Sequence, residues 1–138
     1  MPNNKLKVSE VIECYSALAA LDACKRTIGE GKDSKEVSIL LDDKVSWNLA
    51  KDRRLLKAEV EVYEELRVKI LNELSPLLQD ISKEDVATRS NWNVRIQVIM
   101  KNEVEIPGLL LITEDDLTHK GDNPIPITIR EALLPLLK

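Results

Sequence analysis

Between residues 8 and 28 apolar side chains recur at Val11, Cys14, Leu18, Leu21 and Ile28, with Val8, Ile12, Tyr15 and Ala19 widening the stripe. This three-and-four spacing is one face of an amphipathic helix. Gly29-Glu30-Gly31-Lys32-Asp33 follows, and a glycine can take the left-handed conformation that closes a helix, so a first helix over 8–28 is predicted. Residues 30–43 read as a connector. Its apolar run Val37-Ser38-Ile39-Leu40-Leu41 is too short to assign by period and should tuck against the helices, with Asp42 or Asp43 capping the next one.

The strongest pattern lies between 44 and 78. Glycine is absent there, and the single proline, Pro76, stands at the end. Leu49, Leu56, Tyr63, Ile70 and Leu77 recur every seven residues, flanked by Val45, Val60, Leu66, Leu71 and Leu74. Abundant Glu and Lys elsewhere are good helix formers on a solvated face. A long second helix over 44–78 is predicted, antiparallel to the first.

Past Pro76 the texture changes. Ser82 with Asp85 suggests a capped turn or short helix. Trp92, Val94, Ile96, Val98 and Met100 then alternate with Asn93, Arg95, Gln97 and Lys101, a period of two broken only at Ile99. The rival is a helix using Trp92, Ile96 and Ile99; the β-branched content favours a strand over 92–100. Asn102-Glu103 can turn the chain into Val104-Glu105-Ile106, and Pro107-Gly108 kinks it before Leu109-Leu110-Leu111-Ile112. Thr113 with Asp116 repeats the capping pattern, 118–126 reads as loop, and Thr128 with Glu131 would cap a short last helix over 129–137, distorted by Pro135.

These elements make one domain over 1–138 of the α+β class, mostly helical. A helical hairpin, 8–28 with 44–78, carries a small strand-containing C-terminal element over 91–138. The hairpin is unequal. Helices of roughly 21 and 35 residues are about 32 and 52 Å long, so some 20 Å of the second helix overhangs. Its apolar stripe continues along the overhang, which predicts a homo-oligomer, most simply a two-fold dimer, with Leu56, Tyr63, Ile70 and Leu77 at the interface. Cover by the C-terminal element is the alternative.

Composition sharpens this reading. Hydrophobic residues make up 43% and charged residues 32%, a globular balance, but with no Phe, two Trp and two Tyr the core must be aliphatic. A net charge of −4 disfavours bulk affinity for nucleic acid or anionic membrane. No stretch approaches the roughly 18 apolar residues of a membrane span. Met1-Pro2-Asn3-Asn4-Lys5 lacks the apolar core of a signal peptide, so a cytoplasmic protein is expected. Cys14 and Cys24 stand ten residues apart on the first predicted helix, about 15 Å and beyond disulfide reach, and read as reduced packing residues.

The segment Leu41-Asp42-Asp43-Lys44-Val45-Ser46-Trp47-Asn48-Leu49-Ala50-Lys51-Asp52-Arg53-Arg54-Leu55-Leu56-Lys57 resembles the start of the long second helix in a family of small uncharacterised proteins from phages and prophages. Those proteins also open with a helix like 8–28 and close with a short strand-rich stretch similar to Val104 through Leu117. The resemblance, carried mainly by 41–63, implies phage or prophage origin and a helical hairpin. It brings no activity and no catalytic residues. Where such proteins often show Asn before the paired basic residues, this chain has Asp52.

Candidate chemistry is sparse. His119 is the only histidine, which rules out a His-based triad or multi-histidine metal site within one chain and leaves a solvated loop residue or a ligand shared across subunits. Glu114-Asp115-Asp116 is consecutive rather than spaced as a calcium loop requires, and reads as charge at a helix N-terminus. Neither cofactor nor metal is expected, and no phosphate loop or dinucleotide fingerprint suggests an enzyme. Trp47 and Trp92 read as packing residues at hinge points, or as stacking platforms for a ligand. Charge is uneven: 25–57 holds nine Lys or Arg against six Asp or Glu, with Lys51, Arg53, Arg54 and Lys57 crowding the first half of the second helix. They form either a solvated face or a basic tip for an anionic partner. The expected function is therefore a phage accessory protein acting by protein–protein contact, in assembly or against the host. The alternative is a module sequestering an anionic ligand or nucleic acid.

Overall fold

The computed structural model describes residues 5–29, 31–38, 41–113, 116–117 and 125–137. The class is the predicted one, a mostly helical α+β fold with a long second helix. A short strand β1 (Lys5–Lys7) leads into α1 (Val8–Asp22). The Glu10 carboxylate accepts the Lys7 backbone N–H at 2.9 Å, closing the open start of that helix. Val11, Cys14, Leu18 and Leu21 of the predicted stripe are buried on it, joined by Ala17.

The first helix is shorter than predicted, ending at Asp22 rather than 28. Residues of the expected last turns form β2 (Lys25–Ile28), which pairs antiparallel with β3 (Lys35–Ser38). Gly29 does take a positive φ, +85°, but as the corner of this hairpin and not as a helix cap. A Cβ there would meet the Asp33 carbonyl oxygen at 2.7 Å, so the turn requires glycine. The apolar connector run begins in β3, its Ile39 and Leu40 lie outside the described residues, and Leu41 packs against the core as expected.

α2 (Asp43–Leu74) runs 32 residues, about 48 Å. Asp42 holds the N-cap position without a side-chain capping bond. Pro76 ends the helix, and Ser75 builds the turn that follows. Fully buried, its hydroxyl donates to Glu84 Oε1 at 2.8 Å and accepts the Asp80 N–H at 3.2 Å, while its carbonyl accepts Gln79 Nε2 at 3.0 Å. Asp80 caps a single 3-10 turn (Ile81–Lys83) by accepting Ser82 N–H at 3.0 Å.

Residues 92–100 are not a strand. They belong to α3 (Val86–Lys101), whose N-cap is Asp85, accepting Thr88 N–H at 2.8 Å. The alternation misleads because this helix has apolar residues on opposite sides. Trp92, Ile96 and Ile99 are half-buried on one side, whereas Val94 and Val98 are exposed on the other. α3 runs back along the overhang of α2, tied by Arg95 to Glu73 at 2.7 Å.

The chain then forms β4 (Glu103–Glu105), which pairs antiparallel with β1 and buries Leu6 opposite Val104. The following segment turns at Pro107-Gly108 and inserts Ile106, Leu109 and Ile112 into the core. Thr113 and Asp116 exchange the predicted reciprocal bonds, at 2.8 and 3.1 Å. The last helix differs from the predicted 129–137. α4 (Ile127–Ala132) follows Pro126, and Leu134–Leu136 is a separate 3-10 turn with Pro135 at its start. Thr128 is therefore inside the helix and caps nothing.

The main core joins α1, the first half of α2 and the segments after β4, with Leu56, Ile112, Leu117, Leu133 and Leu136 fully buried. Beyond it the second half of α2 and α3 make a two-helix arm. The overhang inferred from helix lengths is real, and α3 covers one side of it.

Candidate functional site

Lys51, Arg53, Arg54 and Lys57 do not converge. Along one helix they fan across its solvent side, opposite Leu49, Asp52 and Leu56. Lys51 lies over the Trp47 ring, 5.4 Å from its centroid, and Trp47 is 65% exposed, so it is a surface residue and not a hinge-packing one. Arg54 and Lys57 are exposed. Arg53 alone turns inward, to Asp22 at the end of α1, with Nη1 and Oδ2 3.5 Å apart. That pair rims a cleft of about 260 Å³ between α1 and α2, floored by Leu18, Leu21, Leu41 and Leu49. Both partners reach water, and exposed pairs of this kind contribute within about 1 kcal/mol.

The seven-residue line behaves differently from an interface. Leu56, Tyr63 and Ile70 are buried within the single chain, so the seam is an internal spine already occupied by α1, the C-terminal segments and α3. Leu77 is 93% exposed, but it sits in the turn after the helix and off the seam. The apolar surface available for contact lies elsewhere. α3 has no buried residue, and Val94 and Val98 are 63% and 67% exposed on its outer side. Val62 and Leu66, also exposed, help line a small groove where α2 meets Val8 and Val11 of α1, Ile99 of α3 and Val104 of β4.

Comparison with family models, with curated proteins and with solved structures finds no match to this chain.

One feature escaped the sequence pattern. Asp52 is fully buried on α2, where Oδ1 accepts the Leu110 N–H at 2.8 Å and Oδ2 has no hydrogen-bond partner among the described residues. Burial raises its pKa to about 6, against the opposing pull of the Leu110 bond. A signal was present: Asp52 stands between Leu49 and Leu56 at the three-then-four spacing of the buried face, which makes it a core position despite its charge. Cys14, by contrast, fits its reading as packing. Its thiol donates to the Ala132 carbonyl at 3.3 Å, and burial, with Glu10, Glu13 and Asp52 nearby, raises its pKa to about 12. A thiol held neutral this firmly is a poor nucleophile. Cys24 is half-exposed and donates to Ala20 O at 3.4 Å within the turn that ends α1.

No three His, Cys, Asp or Glu side chains gather as a metal site among the described residues. His119, Glu114 and Asp115 lie outside those residues. Among the described residues no helix is long and apolar enough to cross a membrane.

Proposed function

We propose that this protein works by protein–protein contact through its distal arm, and that the arm's first partner is a second copy of the chain. The single observation behind this reading is α3, a 16-residue helix with no fully buried side chain and two valines displayed to water on its outer side. Burying a valine or leucine contributes about 1.5–3 kcal/mol, so such a helix gains substantially from a cover.

Charge favours self-pairing. Across 58–74 α2 carries five Glu against Arg67 and Lys69, whereas α3 carries Arg89, Arg95 and Lys101 and no acidic residue. Stacking α3 on α3 would oppose like charges. Laying α3 of one copy along the Val62–Leu66 face of the other joins opposite ones, and a two-fold axis makes both contacts at once. The resulting four-helix arrangement keeps the predicted dimer but moves its interface from the α2 seam to the arm. In a phage or prophage setting, implied by the resemblance around 41–63, the dimer would serve assembly or a contact with host machinery. The anionic-ligand alternative is less supported, because of its four residues only Arg53 enters a cleft and Asp22 already engages it.

The test is mass by light scattering on wild type and on Val94→Asp with Val98→Asp. A wild-type dimer at micromolar concentration, converted by the double substitution to a folded monomer with unchanged circular dichroism, is the expected result. A wild type that stays monomeric at hundreds of micromolar overturns self-pairing, as does a dimer indifferent to the substitution.

A further inference from the structure

The first half of α2 meets the Ile106–Ile112 segment through one polar tie. Oδ1 of Asp52 accepts the Leu110 N–H at 2.8 Å, and every other inward group of that segment is apolar: Ile106, Leu109 and Ile112. Next to this tie α1 presents the Cys14 thiol, whose hydrogen goes to Ala132 O and not to the carboxylate. Of the basic neighbours on α2 itself, Lys51 lies on the solvent side over Trp47, and Arg53 turns toward α1, where Asp22 engages it. Glu10 and Glu13 of α1 lie toward Cys14, and among the described residues no ion pair engages Asp52. The carboxyl thus sits at an interface between elements with one oxygen satisfied and, among the described residues, the other unsatisfied and no ion pair.

We propose that Asp52 is a pH-sensitive clasp which, when neutral, fastens the Ile106–Ile112 segment onto α2 and, when ionised, loosens it. A neutral carboxyl keeps Oδ1 as an acceptor for Leu110, a weaker one than a carboxylate, and the larger effect of burial favours it because it carries no charge into the core. An ionised one must be held without water around Oδ2, which favours any opening that admits water. The direction follows from the shift: the ordinary value is 3.8 and the folded value about 6, so the closed form binds the proton more tightly than the open one. Closure is therefore favoured in acid and weakens as pH rises from about 4 to about 6. Most carboxylates that stabilise a fold act in the opposite sense.

The experiment is amide hydrogen exchange on the full chain, read as protection factors so that the intrinsic pH dependence of exchange cancels. The Leu110 amide should be protected roughly tenfold less at pH 7.5 than at pH 5, from the displacement of the Asp52 titration. The Leu56 amide, in the same core but away from the clasp, should change little. Asp52→Asn should abolish the Leu110 effect. Should that variant fail to fold, the side-chain carboxyl carbon of Asp52 in the wild type decides, with a titration near 6 expected. A flat Leu110 profile, an equal fall at Leu56, an Asn variant that keeps the wild-type pH dependence, or an Asp52 carboxyl titrating near 4 would each overturn the clasp.

Discussion

The two halves of α2 share one heptad pattern and live in different surroundings. In the first half Leu49 and Leu56 join a core closed by α1 and the segments after β4, where many side chains are fully buried. In the second half Tyr63 and Ile70 are buried where α3 runs alongside, and α3 itself has half-buried residues but no fully buried one. The same stripe can therefore end in a domain core or in a thin two-helix arm, depending on how many elements come back to cover it. Local pattern selects the helix; the number of covering layers decides its stability.

The largest expected difference between the halves comes from truncating their apolar side chains. Leu56→Ala leaves a cavity in a packed region and should lower unfolding free energy by about 2–5 kcal/mol. Val94→Ala, at an exposed position, should fall within about 0.5 kcal/mol as a monomer. Urea titration of both variants checks this, and equal losses would mean that the arm is packed as tightly as the core.

A smaller effect should follow from Ser75→Ala. It removes the hydroxyl that bonds both Glu84 and Asp80 while leaving the backbone turn, and leaves the part-buried Asp80 N–H without that acceptor. A loss of about 1–3 kcal/mol is expected. It should appear in hydrogen exchange as lost protection of α3 amides, with α1 amides barely affected. Uniform loss across both would make the protein one cooperative unit.

Acid should then drive the two regions in opposite directions. Asp85 and Asp80 hold their carboxyls below the usual value by accepting backbone and hydroxyl hydrogens at Thr88 and Ser82, and Arg95 does the same for Glu73. A lowered folded pKa gives stability that is present above the ordinary carboxylate range and lost as pH falls through the folded value. The arm should loosen below about pH 4, followed at the Thr88 amide, over a range in which protonation of Asp52 has already tightened the core. An arm as well protected at pH 3 as at pH 6 would remove the caps from the account.

The smallest effect belongs to the basic face. Arg53→Gln should shift stability by less than about 0.5 kcal/mol, because it removes only an exposed pair with Asp22. A larger loss by thermal melting would show that the cleft beside it is packed more firmly than its exposure suggests.

Much of the fold was legible in the chain because it depends on local periodicity. The stripe from Val11 to Leu21 and the heptad from Leu49 to Ile70 each mark a buried helical face, and the Thr113–Asp116 exchange needs only residues three apart. The boundary at Asp22 was not legible, since the β2–β3 pairing that follows the helix depends on partners further along the chain, from Ile28 with Lys35 to Lys25 with Ser38. Nor was the character of 92–100, where valines outside and larger side chains inside imitate a strand unless one knows which side α2 occupies.

By itself the sequence determined an aliphatic, mostly helical protein with a long second helix longer than its first partner, because hydrophobic periodicity and the absence of helix breakers act within a few turns. Tertiary structure alone decided which apolar residues stay outside. Leu56, Tyr63 and Ile70 were spent on the chain's own interior, while Val94 and Val98 were left on the arm. It also decided that Asp52 would meet the Leu110 amide, 58 positions away, with no ion pair to it among the described residues. Such outcomes depend on which distant surfaces meet, and a charge or a methyl group costs or contributes free energy only according to what covers it.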